Sequence, residues 1–439
     1  MIKIKIQLIH PPVDKFYTGY IYEWLKSAPI GLELIASKVE PKMQGCSVQI
    51  FDGNNLSLNE IVEKVYGDYV GVSDWYSCHH NALEILKQAK RKGAVTVIGG
   101  PNATHIAERI LNNHDFVDYV VVRGGEDAFS MLVRGEDSSK IPNLVYRRGN
   151  AIAENKRQSV ELDTVFDLEH LDHSFYDRKN PFPLSSIRGC IKAELDKRCS
   201  FCSMDYKLKL MSPINVWRQI DLLHSRYGFE YFFETGDSFI VGKYPEKLLE
   251  TRPDYLKNIR FRIYASPEQI NPDSVKTLKA LNVASMFLGL ETANEHILQR
   301  AGKKYSKTSV ENALKFLNNA NIQVQIPLIY GLPGETPETL EETYQFVKET
   351  LQKYPRMAIL VSPAMPLAGT ELFSSLLANK DVRGRYKGDL TGDNFDYEQL
   401  IRLQTEYFTS VTFEDIMDYM AKTKSLVHEK TPGFGFARG

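Results

Sequence analysis

Three cysteines, Cys190, Cys199 and Cys202, crowd into thirteen positions of a 439-residue chain that holds five cysteines in all. A sparse, odd-numbered set argues against a disulfide framework and for ligand chemistry. Thiolates are soft ligands that suit zinc, Cu(I) or an iron–sulfur cluster. Three of them on one loop would hold three irons of a cubane and leave the fourth open to a chelating small molecule. Two other readings stay open on the cysteines alone. With His224 or another histidine they could form a zinc site, or they could be unligated core thiols.

The elements that must carry these residues form a βα series. Strands are expected at Leu184–Arg188, Phe229–Glu234, Ile259–Ala265, Ser285–Glu291, Ile322–Tyr330 and Ala358–Pro363, with helices between them. One helix is well marked: Ser212 as N-cap, Pro213 at the first helical position, then Ile214, Trp217 and Ile220 on one face as far as Gly228. Six such units make a partial (β/α)6 barrel over 184–375, with Cys190 just beyond the first strand. The remainder, 376–439, reads as a small, mostly helical region, and its tail from Thr431 has no periodic pattern. Ahead of the barrel, strands at Ile2–Ile9, Ser47–Asp52, Tyr69–Ser73, Val95–Ile98 and Asp118–Val122 alternate with helical patterns such as Ile30–Met43. That alternation implies a doubly wound, Rossmann-like α/β domain over 1–140. A polar hairpin and linker, 141–183, joins the two.

Net charge is −1, so nothing in the overall electrostatics invites nucleic acid or an anionic membrane surface. No apolar run is long enough to span a bilayer, and a cytoplasmic location is expected.

The barrel half resembles the radical S-adenosylmethionine (SAM) superfamily. The resemblance is carried by Arg188-Gly189-Cys190, Arg198-Cys199-Ser200-Phe201-Cys202, Phe233-Glu234-Thr235-Gly236-Asp237, Leu288-Gly289-Leu290-Glu291, Gly331-Leu332-Pro333-Gly334-Glu335-Thr336 and Leu367-Ala368-Gly369-Thr370-Glu371. It implies a [4Fe–4S] cluster on Cys190, Cys199 and Cys202, with SAM chelating the open iron. Reductive cleavage of SAM would then yield a 5′-deoxyadenosyl radical that takes hydrogen from an unactivated carbon. It further implies SAM contacts from Phe201 and Leu332 near the adenine, from Glu234, Thr235, Gly236 and Asp237 toward the amino group, and from Ser266 and Glu291 toward the ribose or carboxylate. A rim cap or salt bridge is the structural alternative for Ser266 and Glu291. The superfamily usually places three residues between its first two cysteines, whereas this chain has eight, Ile191–Arg198. Such lengthening costs only about 0.9 kcal/mol of loop closure, small beside iron–thiolate bonding.

Residues 1–135 resemble the cobalamin-binding-type domain that precedes many radical SAM barrels. Pro29-Ile30-Gly31-Leu32, Val70-Gly71-Val72-Ser73, Ile98-Gly99-Gly100-Pro101 and Val122-Arg123-Gly124-Gly125-Glu126 carry it. The resemblance implies a corrin bound against Ser73, Trp75, Gly99, Gly100 and Gly124. The cobalt-ligating Asp-x-His-x-x-Gly signature is absent; Trp75 would cover the lower corrin face or be an ordinary aromatic under a loop, and His79 and His80 would ligate cobalt or serve as capping or solvent-facing residues. With cobalamin, methyl transfer to carbon is the implied outcome. Without it, epimerisation, rearrangement or dehydrogenation is implied, and a zinc-stabilised sensor is the non-enzymatic alternative. The partners implied are a small-molecule or peptide substrate and an electron donor such as flavodoxin or ferredoxin.

Overall fold

The computed structural model of the chain describes residues 4–14, 26–39, 45–354 and 356–430. The chain separates into two compact units, Met1–Asp177 with Asp389–Phe395, and Arg178–Gly388 with Asp396–Gly439.

The first unit is built on five parallel strands: β1 (Ile4–His10), β2 (Cys46–Asp52), β3 (Tyr69–Ser73), β4 (Val95–Gly99) and β5 (Tyr119–Val121). Their order is β2-β1-β3-β4-β5. The central strands are apolar on both faces, as in Val70-Gly71-Val72, because helices cover both sides of such a sheet. Helix α1 (Ile30–Val39) packs on β1 and β2 and against α5 (Glu126–Val133), while α2 (Leu58–Lys64) packs against α3 (His79–Arg91); α4 (Pro101–Asn113) lies on β4 and β5. The expected extension of α1 toward Met43 lies outside the described residues, as do the first residues of β1. The strand order reverses between β1 and β3, and ligands of doubly wound sheets bind at the strand ends beside that switch point. Here those ends are His10 and Ser73.

The polar hairpin expected ahead of the linker forms, and it is the sheet's antiparallel edge. Strand β6 (Leu144–Arg148) pairs with β5, and β7 (Ala151–Glu154) pairs with β6. Its polarity is that of an edge with one wet face. A further difference comes from Asp389–Phe395, which belongs to this first unit although it lies more than 200 positions beyond the hairpin.

The second unit holds a six-stranded, wholly parallel sheet. Its strands are β8 (Phe182–Leu184), β11 (Tyr231–Glu234), β12 (Arg260–Ala265), β13 (Val283–Leu288), β14 (Gln323–Tyr330) and β15 (Met357–Pro363). Helices α7 (Pro213–Tyr227), α8 (Tyr244–Glu250), α9 (Pro272–Ala280), α10 (Glu295–Arg300), α11 (Lys307–Asn319) and α12 (Pro337–Lys353) alternate with them. Gly228 ends α7 in the left-handed conformation, φ 73°, as a terminal glycine should. The expected strand Leu184–Arg188 is broken in two. Ile187–Arg188 (β9) leaves the sheet to pair with Lys209–Leu210 (β10) as a separate antiparallel ribbon. The short helix α6 (Ile191–Glu194) then occupies the insert between the first two cysteines. Helices α13 (Glu371–Ala378), α14 (Lys380–Arg385), α15 (Tyr397–Phe408) and α16 (Phe413–Lys430) complete the unit. The tail from Thr431 lies outside the described residues.

Candidate active site

Buried Glu234, at the end of β11, governs how the chain leaves the first barrel strand. Its Oε2 accepts from Ser186 N at 3.2 Å and from the Ser186 hydroxyl; its Oε1 accepts from Ile187 N at 3.2 Å and Gly236 N at 3.0 Å. Burial pushes its pKa up to about 7 against those donors. Glu234 is fully covered and holds the loop that leads to Cys190. Both oxygens of its side chain are thus committed to that loop. Gly236 is closed too, since a Cβ there would lie 2.4 Å from Ile187 Cβ. Thr235 and Asp237 alternate with them and stay open. Desolvation by the surrounding protein raises the pKa of Asp237 to about 6. These two residues are the open polar groups of this strand end.

Gly189 turns the chain toward Cys190 with φ 84°, and a Cβ there would lie 2.6 Å from Lys207 O. The Cys199–Cys202 turn closes on itself through Cys202 N to Cys199 O at 3.0 Å. It is pinned on both sides, by Ser200 N to Ala301 O at 3.2 Å and by Leu372 N to Ser200 O at 3.1 Å. Each thiol has one donor: the Ser238 hydroxyl lies 3.6 Å from Cys190 Sγ, Lys192 Nζ 3.8 Å from Cys199 Sγ, and Met204 N 3.4 Å from Cys202 Sγ. Burial raises the pKa of Cys199 against the pull of Lys303 and Lys192, and raises that of Cys202 to about 12. Thiols so placed become thiolates when bound to a cation. The hydroxyl of Ser200, inside the turn, is buried with no partner among the described residues. Three half-buried soft ligands, each with a donor, and an orphaned polar atom between them fit an iron–sulfur cluster. Among the described residues no three His, Cys, Asp or Glu side chains form a group for a single metal ion; a cubane's thiolates each bind a different iron. His224 is turned to Phe229 O at 3.1 Å on the last turn of α7.

Phe201 packs on the buried cluster of Ile297, Ala301, Leu332, Ala364 and Leu372. The structure thus brings Phe201 and Leu332 together, but Leu332 is 0% exposed. Its side chain belongs to that buried cluster and has no exposed surface of its own. Ser266 caps a short turn through a reciprocal pair with Gln269. Its hydroxyl already accepts a backbone N–H, so the rim-cap alternative describes it. Glu291 is buried with φ 70°, a conformation uncommon for a residue with a side chain. Its Oε1 meets Lys303 Nζ at 2.6 Å, and its backbone bridges to β14 through Pro327 O and Ile329 N. Lys303 is a residue the sequence reading missed; nothing in its local pattern points to burial.

In the first unit, Trp75 follows β3 with 48% of its surface exposed. Ser73 Oγ lies 3.2 Å from His10 Nδ1, joining the two strand ends of the switch point. The glycines expected to line a crevice are occupied by the chain itself. A Cβ on Gly100 would lie 2.6 Å from Asp74 O, one on Gly99 3.0 Å from Val121 O, and one on Gly124 2.2 Å from Val160. Gly99, Gly100 and Gly124 are needed for backbone packing. His79 spends both ring nitrogens on Asp74 and Asp393, which leaves none for cobalt, and His80 is exposed.

Residues 185–347 match the radical SAM superfamily. The chain is 25% identical over 399 residues to the uncharacterised methyltransferase PH0819 of Pyrococcus horikoshii, covering 86% of this chain and 84% of that one. It is 24% identical over 320 residues to the anaerobic magnesium-protoporphyrin IX monomethyl ester cyclase of Cereibacter sphaeroides, covering 66% of this chain but only 50% of the cyclase. Its fold is similar to that of the radical SAM methyltransferase TsrM from Kitasatospora setae, solved with cobalamin and a [4Fe–4S] cluster. The TM-score is 0.68 at 16% identity, over 85% of this chain and 74% of that one. No helix among the described residues is long and apolar enough to cross a membrane. The chain is an enzyme that carries, over residues 185–347, a domain of the radical SAM superfamily, whose cofactors are a [4Fe–4S] cluster and SAM.

Proposed function

We propose that this enzyme is a cobalamin-dependent radical SAM methyltransferase acting on an unactivated carbon. The carrying observation is that one chain joins the cysteine-bearing barrel to a doubly wound unit whose switch point presents the exposed indole of Trp75. When bound, the cluster and SAM supply a 5′-deoxyadenosyl radical that takes hydrogen from the substrate, and cobalamin supplies the methyl group. Cys190, Cys199 and Cys202 hold the cluster. Thr235 and Asp237 accept from the SAM amino group, Glu291 faces the ribose or carboxylate with Lys303 fixing its orientation, and Phe201 packs against the adenine. Ser73 and Trp75 meet the corrin. The substrate is a small molecule or peptide, the electron donor is of the flavodoxin or ferredoxin type, and the location is cytoplasmic.

Anaerobic reconstitution with iron, sulfide and hydroxocobalamin tests this reading. Iron and sulfide near four each per chain, corrin uptake with a shifted visible spectrum, and a weakened shift in Trp75→Ala are expected. Loss of the cluster in each single cysteine-to-alanine variant is also expected. The likeness to a cyclase supports a second reading, in which the same radical drives a reaction without methyl transfer. A protein that assembles the cluster and cleaves SAM yet takes up no corrin would decide for that second reading.

A further inference from the structure

The insert that sets this chain apart, Ile191–Arg198, has a specific product. It folds as α6, and α6 brings the Lys192 ammonium to 3.8 Å from Cys199 Sγ. The same ammonium donates to Gly302 O at 3.0 Å, which fixes the head group in place. Lys192 lies two residues past Cys190 on that single helical turn, which carries its ammonium back toward Cys199. The donors at the other two thiols are neutral, a hydroxyl on Cys190 and a backbone N–H on Cys202. Charge-assisted donors are the stronger kind, and hydrogen bonds to the sulfurs together with local charge set the potential of iron–sulfur clusters.

We propose that Lys192 acts through Cys199 as a positioning residue that raises the reduction potential of the cluster. The inference rests on the radical SAM reading above. In the step concerned, one electron passes from a low-potential one-electron donor protein to the cluster, and no bond forms or breaks. The reduced cluster carries one more negative charge than the oxidised one. A cation beside one of its thiolates therefore favours the reduced form. The chain thus relaxes the demand that reduction places on the donor.

The test is a redox titration, followed by electron paramagnetic resonance, of the reconstituted full-length protein and four variants. Lys192→Met should lower the reduction equilibrium constant at least about tenfold, a shift of about 59 mV to more negative potential. Lys192→Arg should stay near wild type. Lys197→Met removes a charge from an exposed site on the same insert and should leave the potential in place. If Lys192→Met loses iron and sulfide, Lys192→Gln keeps a neutral donor for Gly302 O and should assemble the cluster at a potential below wild type. Equal potentials in wild type and Lys192→Met overturn the inference while leaving the radical SAM reading intact. Cluster loss in both the Met and Gln variants overturns it by making Lys192 a structural clasp. A wild-type protein that takes up no iron and sulfide overturns the reading and the inference together.

Discussion

The Asp393 carboxylate accepts a hydrogen bond from Nε2 of His79 at 3.2 Å, across 314 positions of sequence. Nδ1 of the same ring meets Asp74 at 2.9 Å, Nε2 of His114 meets Asp393 at 2.8 Å, and Asn102 Nδ2 meets Asp74 at 3.0 Å. Arg109 adds bonds to the carbonyls of Leu390 and Gly392. This buried network is what makes Asp389–Phe395 part of the first unit. It also locks the start of α3 directly behind Trp75.

The network has a defined pH window. Burial opposes charge on His79, but Asp74 and Asp393 outweigh it and lift its pKa to about 10. Burial likewise opposes charge on Asp393, yet His114 and His79 hold its carboxyl well below the usual range. The raised histidine stabilises the fold fully below its unfolded pKa of about 6.5 and loses that contribution as pH rises toward 10. The depressed carboxylate contributes above about pH 4 and loses its contribution as pH falls further. Asp393→Asn should therefore cost about 3 kcal/mol near pH 5.5 and less near pH 9.5. Hydrogen exchange of the segment 74–86 at the two pH values measures this. A gap that does not narrow at pH 9.5 would show that the contribution is polar rather than ionic.

Glu234 gives a second expectation. Its four hydrogen bonds hold Ser186, Ile187 and Gly236, and removing the acceptor strands buried N–H groups at about 1–3 kcal/mol each. Glu234→Ala should destabilise the protein by on the order of 3 kcal/mol and lower reconstituted iron content, because the Cys190 loop loses its anchor. Its SAM affinity, measured on the fraction that keeps the cluster, should fall less than that of Asp237→Ala. Equal losses of affinity would return Glu234 to the ligand shell.

Why sequence placed Glu234 at the ligand and the structure placed it beneath the loop is instructive. A carboxylate at a parallel strand end has two sets of potential partners, a ligand or the amides of the neighbouring turn. Only three-dimensional proximity to Ser186 and Ile187 decides between them. The same limit applies to Gly99, Gly100 and Gly124: sequence shows that a close approach is needed but not whether a ligand or Asp74, Val121 or Val160 makes it. The barrel strands and the helix after Ser212 were legible because period and capping residues act locally. The departure of Ile187–Arg188 from the sheet, the edge role of β6 and β7, and the return of Asp393 were not, since each rests on contacts distant in sequence.

Gly189 supports a paired comparison. Its φ of 84° and the 2.6 Å approach of Lys207 O to any Cβ are independent penalties. Gly189→Ala should cost at least about 1–3 kcal/mol in backbone strain and reduce cluster occupancy, with helix content by circular dichroism unchanged. Gly384 lies in α14 with open space around its Cα. Gly384→Ala should instead stabilise by about 0.5–1 kcal/mol and leave iron content at wild type. Iron loss in the Gly384 variant would point to general fragility of the protein and not to the Cys190 turn.

The last expectation concerns the loop Gly331–Glu335 at the end of β14. Its backbone is held from two directions. Glu335, buried, accepts from Gly331 N at 3.1 Å and from the Thr339 hydroxyl at 2.7 Å. Opposite, Gln404 on α15 donates to Gly331 O at 2.7 Å, Gly334 N donates to Phe408 O at 2.7 Å, and Ser410 N donates to Glu335 O at 2.8 Å. Tyr330 and Thr423 join the end of β14 to α16 by a buried hydroxyl pair at 2.9 Å. Helices α15 and α16 thus brace the loop whose Leu332 belongs to the buried cluster on which Phe201 packs. Gln404→Leu keeps most of the buried volume but strands Gly331 O, at about 1–3 kcal/mol. The loosened loop should weaken SAM binding several-fold in calorimetry of the reconstituted protein, with cluster content unchanged, since the Gln404 side chain donates to the Gly331 carbonyl of the β14 loop. Gln404→Glu removes the donor and sets a carboxylate against the Gly331 carbonyl, and it should weaken binding further, most strongly above the pH at which that carboxylate ionises. Wild-type SAM affinity in both variants would show that α15 stabilises the barrel edge without positioning the adenine-side loop.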